Sequence, residues 1–241
     1  MKYYKLERSI DIKELGWFYP KTAILQDYDF NHPHSIRKIP LFGEIEYPIR
    51  FPDFKVRNSA FLTDYLHCVA ASGKWLLYSP KAWDLIKELN LPEYQVFPVK
   101  VYHKRKPFDY FSLYFPLADE TSFIDWRTSK FQLIMEEKNF QSHPAGEISF
   151  KTFSDFMRTR FFLDAGNDLV SRGDFQTGAH NLSFKLHLSP LVTKISKKIN
   201  FDLFRQTQPV RGYCASEKFK KIIQENNLMG FRFLPLPGAD E

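Results

Sequence analysis

The stretch LDAGNDLVSRGDFQTGAH gathers Asp164, Asp168, Arg172, Asp174 and His180 around three glycines. Carboxylates, a guanidinium and an imidazole on a glycine-rich loop can move protons or hold a partner. Their spacing matches no calcium loop, nucleotide cradle or paired-carboxylate motif, so a polar surface loop over 164–180 is the simpler reading. The His32/His34 and His180/His187 pairs raise metal binding, but neither has cysteine or carboxylate partners at regular spacing. No metal and no other cofactor is therefore expected. GxSxG, HExxH, GxxxxGK[ST] and GxGxxG sequences are missing, which removes the positive argument for an enzyme.

Charge offers a different chemistry. Between Lys185 and Lys221, nine lysines and arginines stand against Asp202 and Glu217, in a chain of net charge +6. Lys194, Lys197 and Lys198 form one cluster within it, and Lys218, Lys220 and Lys221 another. Such a segment attracts nucleic acid, phosphorylated ligands or acidic proteins, although a plain solvated face is commoner. Aromatics interleaved with the basic clusters at 104–106, 194–198 and 218–221, such as Tyr102, Phe108, Phe204 and Phe219, would suit single-stranded nucleic acid. Phe219, however, falls on an apolar helix stripe opposite its lysines, so a core role explains it more simply. Nucleic-acid binding stays as the second reading, and an enzyme using the 164–180 loop as the third.

The elements that position these groups include one segment spelled twice. Residues 79–99 (SPKAWDLIKELNLPEYQVFPV) and 216–236 (SEKFKKIIQENNLMGFRFLPL) align over 21 positions without a gap, with seven identities. Each reads as strand, helix, strand. Trp75 to Tyr78 and Tyr213 to Ala215 supply the first strands. Ser79 and Ser216 are placed to cap the helices, with Pro80 and Glu217 next. Ala82, Leu85, Ile86 and Leu89 line one helix face, and Phe219, Ile222 and Ile223 the other. The returning strands are apolar on both faces, which suits parallel neighbours, and Pro98 and Pro235 mark matching irregularities. Gly230 is expected to serve the second helix end.

A mixed α/β or α+β fold follows, as one domain or two closely packed halves. The repeat units lie at about 75–99 and 212–236, and 1–57 reads as a strand- and loop-rich extension packed on the core. Ser59 to Ser72 has a helical stripe in Leu62, Tyr65, Leu66 and Val69. Lys100 to Phe115 reads as a hairpin with a basic turn. Phe123 to Phe131 and Glu147 to Phe153 read as strands, Phe153 to Leu163 as helix, and Leu186 to Ile199 fits either. Two cysteines, Cys68 and Cys214, build no disulfide framework and are expected as buried thiols. No signal-peptide or membrane-spanning pattern occurs, and the cytoplasm is the expected location.

Three stretches resemble a family of immunity proteins from bacterial polymorphic toxin systems. They are WLLYSPKAWDLIKELNLPEYQVFPVKVY, the FIDWRTSKF segment with Asp125 and Ser129, and FDLFRQTQPVRGYCASEKFKKIIQENNLMGFRFLPL. The likeness covers 60–236, with Glu93 departing from the pattern where the second copy has Gly230. The resemblance implies a non-catalytic protein that binds a cognate toxin domain, with no catalytic residues. Asp164, Asp168, Arg172 and Asp174, with Lys194, Lys197 and Lys198, are then candidate partner contacts. Ser79 and Ser216 are structural caps.

Overall fold

The computed structural model describes residues 1–15, 23–24, 28–39, 43–67, 76–116, 123–137, 141–172, 184–196, 199–206 and 212–236. Its strands are β1 (Tyr3–Arg8), β2 (Ala23–Ile24), β3 (Phe54–Lys55), β4 (Tyr65–His67), β5 (Leu76–Tyr78), β6 (Gln95–His103), β7 (Lys106–Tyr114), β8 (Lys130–Glu137), β9 (Ser142–Ile148), β10 (Phe184–Val192), β11 (Leu203–Gln206), β12 (Gly212–Ser216) and β13 (Phe231–Pro235). The helices are α1 (Ile12–Leu15), α2 (Pro80–Ile86), α3 (Phe153–Arg172) and α4 (Glu217–Glu225). The fold is mixed α+β. It divides into two compact units: Met1–Ala118 with Asn200–Thr207 and Arg211–Leu234, and Asp119–Ile199 with Gln208–Val210 and Pro235–Glu241.

The first unit holds a six-stranded sheet, β2-β3-β6-β7-β5-β4, and a four-stranded sheet, β11-β12-β1-β13. The same ordering occurs in both: β4-β5-β7-β6 in one and β11-β12-β1-β13 in the other. The register matches too. Tyr65 and Leu66 pair with Tyr78 and Leu77, as Leu203 and Phe204 pair with Ala215 and Cys214. Tyr78 then faces Phe111 of β7, as Ala215 faces Tyr4 of β1. The two strands of each strand-helix-strand segment are thus not hydrogen-bonded neighbours. A third strand stands between them, β7 from the adjoining hairpin or β1 from the other end of the chain.

That placement corrects the expectation for 1–57. β1 is no extension laid on a core. Tyr3, Tyr4 and Leu6 are buried because the strand fills the gap between β12 and β13. Over 59–67 the expected helix is also replaced: Tyr65 to His67 form β4, an edge strand antiparallel to β5, while the rest of the expected helix lies outside the described residues. Leu66 and Tyr65 are buried toward different clusters, which a strand achieves and a single helical stripe does not. Pairing to β5 overrides the local 3.6-residue period. The hairpin at Lys100 to Phe115 forms as read, with Lys104 and Arg105 both at positive φ (49° and 67°), a primed turn that matches strand twist.

The two helices end as their sequences ask. Ser79 Oγ accepts from Ala82 N at 3.2 Å, and Ser216 Oγ accepts from Phe219 N at 3.1 Å. Each cap contributes about 1 kcal/mol. α4 closes in a double turn: Leu228 N donates to Ile223 O at 3.0 Å and Asn227 N to Gln224 O at 3.1 Å. Asn227, at φ 51°, takes the left-handed position there, not Gly230. Gly230 (φ 96°) serves a closer approach, since a Cβ on it would lie 2.5 Å from Tyr65 O.

Between the helices lies one core cluster that includes Leu76, Tyr78, Ala82, Ile86, Phe219, Ile223 and Phe231, with Tyr65, Tyr78 and Phe231 stacked. Full burial of each large apolar side chain contributes about 1.5–3 kcal/mol. A second cluster, under the six-stranded sheet, is built from Phe54, Val56, Leu66, Leu77, Val101 and Tyr114.

The second unit is a three-stranded antiparallel sheet, β10-β8-β9, with α3 and the aromatic cluster Trp126, Phe131, Phe150 and Phe156. β10 settles the open reading of 186–199 as strand through Val192. Phe123 to Phe131 is mostly turn, contributing an isolated bridge from Ile124 to Ile195, and the expected strand over 147–153 lies earlier, as β9. α3 overturns the loop reading for Asp164 to Arg172, continuing as helix through Arg172. Gly166 inside it costs only about 1 kcal/mol relative to alanine, which the flanking helix absorbs.

Candidate binding surface

Of the sequence candidates, Lys194 belongs to the second unit and is half-buried. Its N–H donates to the buried Ser129 Oγ at 3.0 Å, and its carbonyl accepts from Asp125 N at 2.9 Å. Asp125 Oδ1 also accepts from Arg127 N at 3.2 Å. Asp125 and Ser129 therefore hold a turn against residue 194. Asp164 is exposed on α3, 3.5 Å from Arg160 Nε one turn earlier. Asp168 and Arg172 follow it at four-residue steps on the same helix. Lys197, Lys198, Asp174, His180 and Cys68 lie outside the described residues. Arg205 is buried with its Nη1 unbonded, so 185–221 is not one continuous basic surface.

The histidine pair resolves into local structure. His32 Nδ1 accepts from His34 N at 3.1 Å, so one of the nitrogens a chelate would need is engaged by the backbone. Among the described residues no group of three or more histidine, cysteine or acidic residues is placed to hold a metal ion.

Two aspartates overlooked in the sequence organise the first unit. Asp64 Oδ1 accepts from Ser79 Oγ at 2.6 Å, and its carbonyl accepts from Ser79 N at 2.9 Å. Asp202 does the same for Ser216, at 2.6 and 2.8 Å. Each second carboxylate oxygen reaches the turn after the other helix. Asp64 Oδ2 accepts from Met229 N at 2.9 Å, and Asp202 Oδ2 from Asn90 N at 3.0 Å. Tyr65 N and Asp202 N complete the exchange by donating to Met229 O and Asn90 O. Each aspartate thus pins one helix start to the opposite helix end. The signal was present in sequence as an aspartate 14 or 15 residues before each cap serine.

Outside this shared frame the two helices carry different chemistry. On α4, Lys218 and Lys221 are exposed and Lys220 is partly so. The Lys220 ammonium sits 4.2 Å from the Tyr4 ring centroid, and the Lys2 ammonium 5.6 Å from it. The Tyr4 hydroxyl donates to Glu217. That bond, helped by Lys220, Lys221 and Lys2 against some desolvation, holds the Glu217 carboxyl below its usual range. Lys218 stands 3.4 Å from Asp202 Oδ2. On α2 the matching place is aromatic: Trp83 packs edge-on to Tyr94 and against Phe111, and Asp109 is paired with Lys100 at 2.5 Å.

No protein-family model matches this chain, and no curated protein sequence matches it. No described helix is long and apolar enough to cross a membrane.

Proposed function

We propose that this protein is an immunity protein that neutralises a cognate bacterial toxin domain by direct, stoichiometric binding in the cytoplasm of the producing cell. The observation that carries the reading is the coincidence of the resemblance with one structural design. The most characteristic segment, 201–236, comprises β11, β12, α4 and β13, and the first of the three resembling stretches comprises β5, α2 and β6. We read these as two copies of one unit, each completed by a strand inserted between its own two. The shared residues explain themselves as caps, core and aspartate ties. Nothing in that list needs chemistry on a substrate, which favours a binding role and an activity lodged on the outer faces.

The test is co-expression. The reading expects the adjacent upstream reading frame to encode a large secreted protein, whose C-terminal domain is expressed alone and with this chain. The reading expects growth arrest in the first case and rescue in the second; persistent arrest would refute the pairing.

A further inference from the structure

We propose that the lysine face formed by β1 and α4 (Lys2, Lys218, Lys220 and Lys221) docks an acidic surface of a partner protein. The first unit supplies its own control. The shared register sets Tyr4 against Phe111 and, two residues earlier, Lys2 against Asp109. The helix alignment sets Glu217, Lys218, Lys220 and Lys221 against Pro80, Lys81, Trp83 and Asp84. These five matched positions carry a net charge of +3 on the β1/α4 side and −1 on the β7/α2 side. The same caps, core contacts and aspartate ties form around both. The scaffold is therefore satisfied by an aromatic, near-neutral face, and Lys2, Lys220 and Lys221 are not a requirement of folding, whereas Lys218 has its counterpart in Lys81.

Local electrostatics sharpen the point. Three lysines crowd the first half of α4, near the positive end of its dipole, and its last turn has no basic residue. This arrangement opposes helix stability. The single first-turn acid, Glu217, is already engaged by Tyr4. α2 shares the missing basic last turn but sets a single lysine, Lys81, against Asp84, so the surplus of positive charge is particular to α4. An anionic partner would relieve the repulsion on docking, and complementary charge raises association rate and excludes wrong partners.

The face fits a protein better than a nucleic acid. Its aromatic, Tyr4, is 6% exposed and lies beneath two ammonium groups, so no ring is offered for base stacking. The inference rests on the toxin-binding reading only for the partner's identity.

The experiment compares Lys2→Glu/Lys221→Glu with Lys55→Glu/Lys106→Glu, an equal charge change at exposed positions of the six-stranded sheet. Binding to immobilised poly-L-glutamate and to oligothymidine is measured at low salt, after circular dichroism shows both variants folded. The first pair should weaken polyglutamate binding about tenfold and the second less than about twofold. Equal losses in both would overturn the proposal, as would tighter binding to oligothymidine abolished by the first pair alone. On-rates for the upstream toxin domain separate the two claims. Failure of the wild type to bind it removes the toxin reading and leaves the polyglutamate result standing. Binding with an unchanged on-rate in Lys2→Glu/Lys221→Glu overturns the surface.

Discussion

Replacing Asp202 with alanine should unfasten the first unit at a definable cost. The carboxylate is 2% exposed and accepts from Ser216 Oγ and Asn90 N. Hydrogen bonds to a charged acceptor contribute about 1.5–3 kcal/mol each, and the buried Ser216 hydroxyl would be left unsatisfied, so about 3–6 kcal/mol is expected. The neighbouring Lys218 ammonium is largely exposed and adds little. Asp64→Ala removes the equivalent pair of bonds from a partly exposed site, where water can replace them, and about 1–3 kcal/mol should be lost. Urea denaturation followed by far-ultraviolet circular dichroism reads both as shifts in midpoint. Combining Asp202→Ala with Ser216→Ala removes one of the orphaned donors, so the double variant should be less destabilised than the sum by about 1 kcal/mol. A loss below about 1 kcal/mol for Asp202→Ala, or a smaller loss than for Asp64→Ala, would refute the reasoning.

Gly230→Ala combines positive φ with contacts of 2.5 Å to Tyr65 O and 2.8 Å to Thr63 Oγ1. It should cost about 2–6 kcal/mol in a urea titration. Gly43→Ala, with open space at its Cβ, should cost about 1 kcal/mol, and equal losses would count against the close approach. Burial pushes the Cys214 thiol up to about 12, so iodoacetamide at mildly alkaline pH should modify it only after denaturation. Peptide mass spectrometry showing rapid native alkylation of Cys214 would contradict that. Desolvation first, then the Asp202 carboxylate and Cys214, raise the Tyr3 phenol to about 12. The unfolded chain ionises near pH 10, so the stability Tyr3 contributes is intact below pH 10 and is lost between about pH 10 and 12. Buried Tyr65, Tyr78, Tyr110 and Tyr213 shift in the same direction. Tyrosinate absorbance should therefore lag in the native state and rise with unfolding; full titration near pH 10 in folded protein would be inconsistent.

What the sequence made legible was local. Ser79 and Ser216 cap helices because a serine before a helical stripe has few other uses. The Lys104–Arg105 turn is bracketed by alternation long enough to pair on its own. What stayed hidden depended on partners distant in the chain. Nothing in Tyr3 to Arg8 says that it will lie between β12 and β13, some 200 residues away. Tyr65 and Leu66 satisfy a helical period equally well until β5 is present to pair with them. Asp64 fell within a stretch read as helix and Asp202 counted only against the basic run, because their bonds run to serines 14 or 15 residues onward and to turns over 100 residues distant. The make-up of the second unit stayed hidden for a related reason: its core of Trp126, Phe131, Phe150 and Phe156 is assembled from short segments with weak periodicity. The basic run at 185–221 was a count along the chain, and folding divides it between units and buries Arg205.

The most direct test of the functional claim is a calorimetric titration of this protein with the purified C-terminal domain encoded upstream. Toxin neutralisation by stoichiometric binding predicts a saturable one-to-one isotherm that weakens as salt is raised, together with loss of the domain's toxicity at equimolar protein. No heat of binding to an active, folded domain, or protection by substoichiometric protein, would contradict it.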